Sequence, residues 1–368
     1  ATITRGSSSD TKQFTLVVIM AVPFITRWQT DNVGYTFSSD NQVKLPLSSN
    51  GTYNFTVDWG DGTGDTITSF DQFETIHTYT VPGQYTIRMT GTIEGFGFSQ
   101  SGEDNSKLID VVQWGSVQLH NDGSQFINCN YLTGFTASDA LALSNISNMD
   151  SMFSGALSFN GEISSWDVST VTNMGSMFFG AAAFNGDISN WDVSNVTSMW
   201  SMFSGAASFN QNLSAWNVSS VDNMDSMFSG ATAFNGDIST WDVSNVTSMW
   251  SMFSGAVLFN RNLFTWSVSN VTVMDSMFSG ATAFNGNIST WDVSNVTSMH
   301  SMFRNALVFN GNISNWDVSS VINMDSMFFD AINFAQDLRG WCVSGLSTPD
   351  NFNTGSALIL VPIWGTCP

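Results

Sequence analysis

Apolar positions along the 368 residues fall into two regimes. From about Asn145 to Trp341 they recur every 25 residues without insertion. Trp stands at 166, 191, 216, 241, 266, 291, 316 and 341, and Ser-Met-Phe begins at 151, 176, 201, 226, 251, 276, 301 and 326. A second Met precedes each tripeptide by two residues, from Met149 to Met324, so these columns hold sixteen of the eighteen Met. In the unit from Trp166 to Asn190 the apolar positions are Trp166, Val168, Val171, Met174, Met177, Phe178, Ala181, Phe184 and Ile188. The Val-x-x-Val-x-x-Met-x-x-Met run steps by three, which fits neither the 3.6 of a helix nor the 2.0 of a plain strand. One such unit cannot bury its apolar face alone. Stacked units bury each other's, giving a core extended in one dimension.

The spacing is similar to the LxxL pattern of leucine-rich repeats, in which a short strand sits between tight corners. Adjacent strands would then lie about 4.8 Å apart. Gly155, Gly180, Gly205, Gly230, Gly255 and Gly280 suit a corner with positive φ, and Asn305 and Asp330 take their place in two units. The Trp, Met and Phe columns read as core. Asn160, Asn185, Asn210, Asn235, Asn260, Asn285 and Asn310 read as a ladder whose amides bond neighbouring turns. Asp167, Asp192, Asp242, Asp292 and Asp317 follow the Trp, interrupted by Asn217, Ser267 and Cys342. Calcium is a candidate ligand for that column, but the exchange for Asn and Ser favours turn capping. Another column alternates Trp200, Asp225, Trp250, Asp275, His300 and Asp325. Core positions do not exchange Trp for Asp, so this column is expected on the surface, with Trp200, Trp250 and His300 as candidate binding residues. Two-unit duplication without function is the alternative.

The N-terminal part has no such period. Alternation appears at Tyr53-x-Phe55-x-Val57-x-Trp59 and at Tyr85-x-Ile87-x-Met89, with turn dipeptides at Asp61-Gly62 and Pro82-Gly83. The residues Trp59-Gly60-Asp61-Gly62-Thr63, His77-Thr78-Tyr79, Pro82-Gly83 and Tyr85 resemble a PKD (polycystic kidney disease) domain, an immunoglobulin-like β-sandwich. His77 is then expected to pack, and Asp58, Asp61 and Asp65 to stabilise turns. From Pro23-Phe24-Ile25-Thr26 through Trp114-Gly115 and the Val-Ser-Asn-Val-Thr-Ser-Met repeats to Trp364-Gly365-Thr366-Cys367-Pro368, the chain resembles a BspA-like leucine-rich repeat bacterial surface protein. That resemblance implies an extracellular, non-enzymatic role in attachment or surface structure.

The expected fold is mostly β with short helical turns. A PKD-like sandwich spans 23–106 and diverged capping coils span 107–144. Eight 25-residue repeats of a solenoid span 145–341, and a C-terminal cap spans 342–368. Cys342 and Cys367, 25 residues apart, suggest a disulfide that staples the cap in an oxidising compartment, with two buried thiols as the alternative. Residues 1–22 fall outside the resemblance. The run Phe14 to Val22 is apolar and β-prone; it reads as a strand of the chain's own sandwich or as a donor strand (Phe14, Leu16, Val18, Met20 and Val22) for another copy. The start at Ala1 reads as a mature, processed chain.

Charge narrows the function. Nine Lys plus Arg face thirty Asp plus Glu, and the formal net charge is −21. Nucleic acid is not an expected partner, because counterion release needs clustered Lys and Arg. Three His leave little for histidine-centred catalysis, and no apolar run reaches the roughly 18 residues of a membrane span. Fifteen of the acids lie between Asn145 and Trp341, opposed only by Arg261, Arg304 and Arg339, so the acidity there is a copied surface charge. Eleven Asn-x-Ser/Thr sequons occur, among them Asn195, Asn245, Asn270 and Asn295, as candidate glycosylation sites. The expectation is a secreted or cell-surface protein that needs no cofactor. Its expected partner is a second copy, met through the N-terminal arm, or else a host or environmental glycan or protein.

Overall fold

The computed structural model describes residues 21–34, 36–99 and 103–368. The protein is mostly β with almost no helix among the described residues; the two helical elements are 3-10 turns at Phe73–Thr75 and Asn105–Lys107. Of the candidate donor-strand residues, Phe14, Leu16, Val18 and Met20 lie outside the described residues, and Val22 is half exposed.

The alternating segments form an open six-stranded sheet. Its strands are β1 (Phe24–Gln29), β3 (Leu47–Asp58), β4 (Gly64–Ile67), β6 (Gln84–Phe96), β7 (Leu108–Gln113) and β8 (Gln118–Leu119). The order is β4-β3-β6-β1-β7, with β8 parallel to β6. A second, two-stranded sheet pairs β2 (Gln42–Lys44) with β5 (Ile76–Thr78). Tyr53, Phe55 and Val57 of β3 are buried together with Ile87 and Met89 of β6, as the alternation requires. The boundary expected at 106 falls inside this sheet. β7 and β8, read from the sequence as parts of diverged coils, pair with β1 and β6 instead. Their apolar residues, Leu108, Val111 and Leu119, fill the same core.

A buried ion pair locks this region. Lys107 Nζ donates to Ser38 O, Ser38 Oγ, Ser39 O and Gln42 O, with Asp104 Oδ1 at 3.5 Å. Asp104 accepts from the N–H groups of Phe37, Ser38 and Lys44. A buried charge pair holds only when the remaining lone pairs and protons are also used, as they are here. Nothing in the sequence pattern pointed to this pair.

In the 25-residue units, successive repeats lie against each other. Parallel bridges join Asn148 to Asn173 and continue through Ser198, Asn223, Ser248, Val273 and Ser298 to Asn323. The short strand expected in each unit is therefore one bridging residue. A run of tight turns follows it. Ser151, Phe153 and Gly155 send their N–H groups to Gly175 O, Met177 O and Phe179 O of the next unit, while Met152, Ser154 and Ala156 bond back three residues. That alternation needs left-handed residues at two of the positions. Gly155, Gly180, Gly205, Gly230, Gly255 and Gly280 have φ of 67–71°, and Asn305 and Asp330 have 56° and 55°. The Ser of each Ser-Met-Phe also has positive φ, 50–57°, which the sequence did not suggest.

Side chains repeat the same contacts. The first Phe column stacks from Phe153 to Phe328 with ring centroids 5.5–5.7 Å apart, and each first Phe lies about 4 Å from the second Phe of its own unit. Trp216, Trp241, Trp266, Trp291 and Trp316 stack at 6.3–6.4 Å. In the 25-residue Trp column, each indole N–H from Trp191 to Trp341 donates to a carbonyl 28 residues earlier, such as Trp241 Nε1 to Leu213 O at 2.9 Å. A buried indole thus keeps its hydrogen bond, as buried polar groups must.

Candidate functional site

The polar columns are mostly spent on backbone. In the Asn column, each side-chain carbonyl accepts from the N–H of the next Asn, from Asn160–Asn185 to Asn285–Asn310, at 2.8–3.0 Å. Asp167, Asp192, Asp242, Asp292 and Asp317 each accept from the N–H of the Ser two residues on, and Asn217 does the same. These bonds, from the Ser side chain and then its backbone, hold Asp167, Asp192, Asp242 and Asp317 below the usual carboxylate range. Because Asn serves equally, the column works as a set of Asx turns. Among the described residues, no three His, Cys, Asp or Glu side chains converge as metal ligands would.

The sequon residues Asn195, Asn245, Asn270 and Asn295 are exposed. Each donates Nδ2 to a carbonyl of the preceding unit, at 2.6–2.8 Å. Ser220 occupies the same column and donates Oγ to Ser194 O. The nitrogen that would carry a glycan is therefore one that joins repeats. Cys342 and Cys367 are bonded to each other, while Cys129 is buried and free, its thiol pushed up by burial.

His77 packs, as expected. Its ring stacks on Trp59 with centroids 4.7 Å apart, and Nε2 meets Asp61 Oδ2 at 2.8 Å. Burial pushes the Asp61 carboxyl up, but hydrogen bonds from Thr63 and His77 outweigh it and hold it at about 2. Asp58 and Asp65 accept from Gly60 N–H and Trp59 Nε1.

A cleft between the N-terminal sheets and the first repeat brings Lys44, Glu103, His120, Asp122 and Asp150 together. Burial pushes the Glu103 and Asp150 carboxyls up and the His120 imidazole down. Glu103 accepts from Ser99 N–H, His120 bonds Phe98 O through Nε2 and Asp122 N–H through Nδ1, and Asp150 accepts from Ser151 Oγ. With both ring nitrogens engaged, His120 is placed as a structural neutral imidazole.

What remains exposed is the aromatic half of the alternating column, with His300 Nε2 3.2 Å from Ser301 Oγ. Trp200 is 41 % exposed and Trp250 50 %, and His300 is exposed as well. They stand two repeats apart, with Asp225 and Asp275 between them.

The model of the family described as "Mycoplasma protein of unknown function, DUF285" matches residues 124–237, 188–288, 210–312 and 259–356 in overlapping copies. The chain belongs to the DUF285 family. The matched span, 124–356, covers the whole repeat region and exceeds half of the 368 residues. No curated protein and no solved structure matches the chain. The DUF285 repeats contain every residue of the alternating column from Asp150 to Asp350.

Proposed function

We propose that this DUF285 protein is a non-enzymatic, extracellular structural or adhesive surface protein. In this reading the repeats form a leucine-rich-repeat-like solenoid of the BspA-like kind, and the N-terminal sheets form a PKD-like, immunoglobulin-like module. The observation that carries it is the assignment of nearly every polar column to the stack itself. Asn, Asp, Ser and Trp side chains bond the backbone of their own or the adjacent unit. A chain built in this way is a rigid display surface. The Cys342–Cys367 disulfide suits an oxidising compartment, and the net charge of −21 favours solubility outside the cell.

We also propose that the chain is the subunit of a self-assembling filament, joined through the N-terminal arm by strand donation. The support is the apolar run Phe14 to Val22, which leads into β1, a strand already paired on both sides by β6 and β7. Negative-stain microscopy of the purified full chain tests this. Filaments that vanish when residues 1–22 are removed support it; separate particles at every concentration reject it. A second reading, a monomeric carbohydrate- or protein-binding module, is favoured by the exposed Trp200, Trp250 and His300.

A further inference from the structure

The alternating column, read in full, is Asp150, Gly175, Trp200, Asp225, Trp250, Asp275, His300, Asp325 and Asp350. Part of its alternation has a backbone cause. At Asp150, Gly175, Asp225 and Asp325, the residue's own N–H is taken by the Asn two positions earlier, at 2.9–3.0 Å. At the aromatic positions that Asn is replaced by Ser198, Ser248 or Ser298. For Trp250 and His300 the Asp of the preceding repeat takes over. Asp225 Oδ1 accepts from Trp250 N–H at 2.9 Å and Ser248 Oγ at 2.6 Å. Asp275 Oδ1 accepts from His300 N–H at 2.8 Å and from Ser298 Oγ.

Capping explains the Asp, Asn and Ser. It does not explain the rings. Asp350 N–H is capped by Asp325 at 2.8 Å in the same manner, and no ring stands there. Nor does the core need them, since Trp200 and Trp250 face solvent. Room is made for one of them: a Cβ at Gly175 would collide with Trp200 Nε1.

We propose that Trp200, Trp250 and His300 form a binding site for a neutral, extended β-1,4-linked glycan lying along the repeat axis. Three features select that ligand. First, the rings follow the bridged residues Ser198, Ser248 and Ser298, which are joined through Asn223 and Val273. Two strand spacings put the backbone positions that carry neighbouring rings about 10 Å apart. One disaccharide of an extended β-1,4 chain spans about that length, and alternate sugars of such a chain present the same face. Second, Asp225 and Asp275 stand between the rings. Each caps through Oδ1, leaving Oδ2 to accept from sugar hydroxyls. The same carboxylates repel acidic glycans. Third, the apolar area is broken by a carboxylate at every second repeat. A protein interface centres on an apolar core depleted of charge, which this face lacks.

The inference deepens the second reading above and does not depend on polymerisation. It is tested by calorimetric titration of the full chain with cellohexaose, chitohexaose and maltohexaose. At least one of the two β-1,4 hexasaccharides is expected to bind, with maltohexaose at least about tenfold weaker. The corresponding disaccharide, which spans one ring spacing, is expected to be weaker by a similar factor. Trp250→Ala costs about tenfold, the range of an exposed aromatic anchor, and Trp200→Ala with Trp250→Ala removes detectable binding. Thermal unfolding of the double variant should match the parent, because neither ring is in the core. The proposal is overturned if neither β-1,4 hexasaccharide binds, if maltohexaose binds as tightly, or if the double variant binds unchanged. It is also overturned if the double variant alters sedimentation of the chain, which would make this face a contact between copies and leave the filament reading standing.

Discussion

Eight successive repeats place a Ser at positive φ, where glycine is the usual choice. A left-handed residue with a Cβ costs on the order of 1–2 kcal/mol. The turn ladder imposes it, because Ser226 must send its N–H to Trp250 O while Ser229 bonds back to Ser226 O. A branched side chain there adds steric cost, so Ser226→Val should destabilise by about 1–3 kcal/mol, and Ser226→Gly should be close to neutral. Urea unfolding of the two variants reads the difference. The Gly column was legible in the sequence because Asn305 and Asp330 substitute at Gly positions. The Ser column was not, because Ser is common in every kind of turn. Lys107 was hidden for another reason: its partners, Ser38, Ser39, Gln42 and Asp104, lie in segments without periodicity. Lys107→Met leaves the buried Asp104 without its counter-charge and should cost about 3–5 kcal/mol, read by the same unfolding curves.

At the scale of the repeat, carboxylate caps set the acid limit. Asp192, Asp242 and Asp317 are held below their ordinary values by hydrogen bonds from Ser194, Ser244 and Ser319. A carboxyl depressed on folding contributes stability above its unfolded value of about 3.9. That contribution is lost as the pH falls through the folded value. Melting temperature should therefore fall as the pH is taken below about 4. Changing Asp192, Asp242 and Asp317 together to Asn should flatten that fall and leave pH 7 stability nearly unchanged, since Asn217 already caps Ser219. The 25-residue period announced the core columns directly; the bonding partners of each column were less evident. A strand was expected where a single bridging residue leads into turns, because a step of three does not by itself distinguish the two. In the core, Phe228→Ala opens a gap in a column stacked on both sides by Phe203 and Phe253. It should cost about 3–5 kcal/mol.

Across the whole molecule, the two ends of the ladder differ. At the first end, Gln125 O accepts from Phe98 N–H and Ile127 O from Asn105 Nδ2, so the N-terminal region closes it. At the other, the N–H groups of Asn351, Asn353 and Gly355 stand where earlier repeats donate onward, and none has a partner among the described residues. In a stack held by nearest neighbours, opening begins at the less supported end. Hydrogen exchange should be fastest at these three amides and slow at Ser226, Phe228 and Gly230. Reducing the Cys342–Cys367 bond should widen the fast region before it lowers global stability.

The self-assembling form of the proposed function is tested most directly by sedimentation of the full chain against the same chain lacking residues 1–22, over a range of concentrations. Large, concentration-dependent species are expected for the full chain and monomers for the shortened one. A full chain that remains monomeric at every concentration would contradict self-assembly.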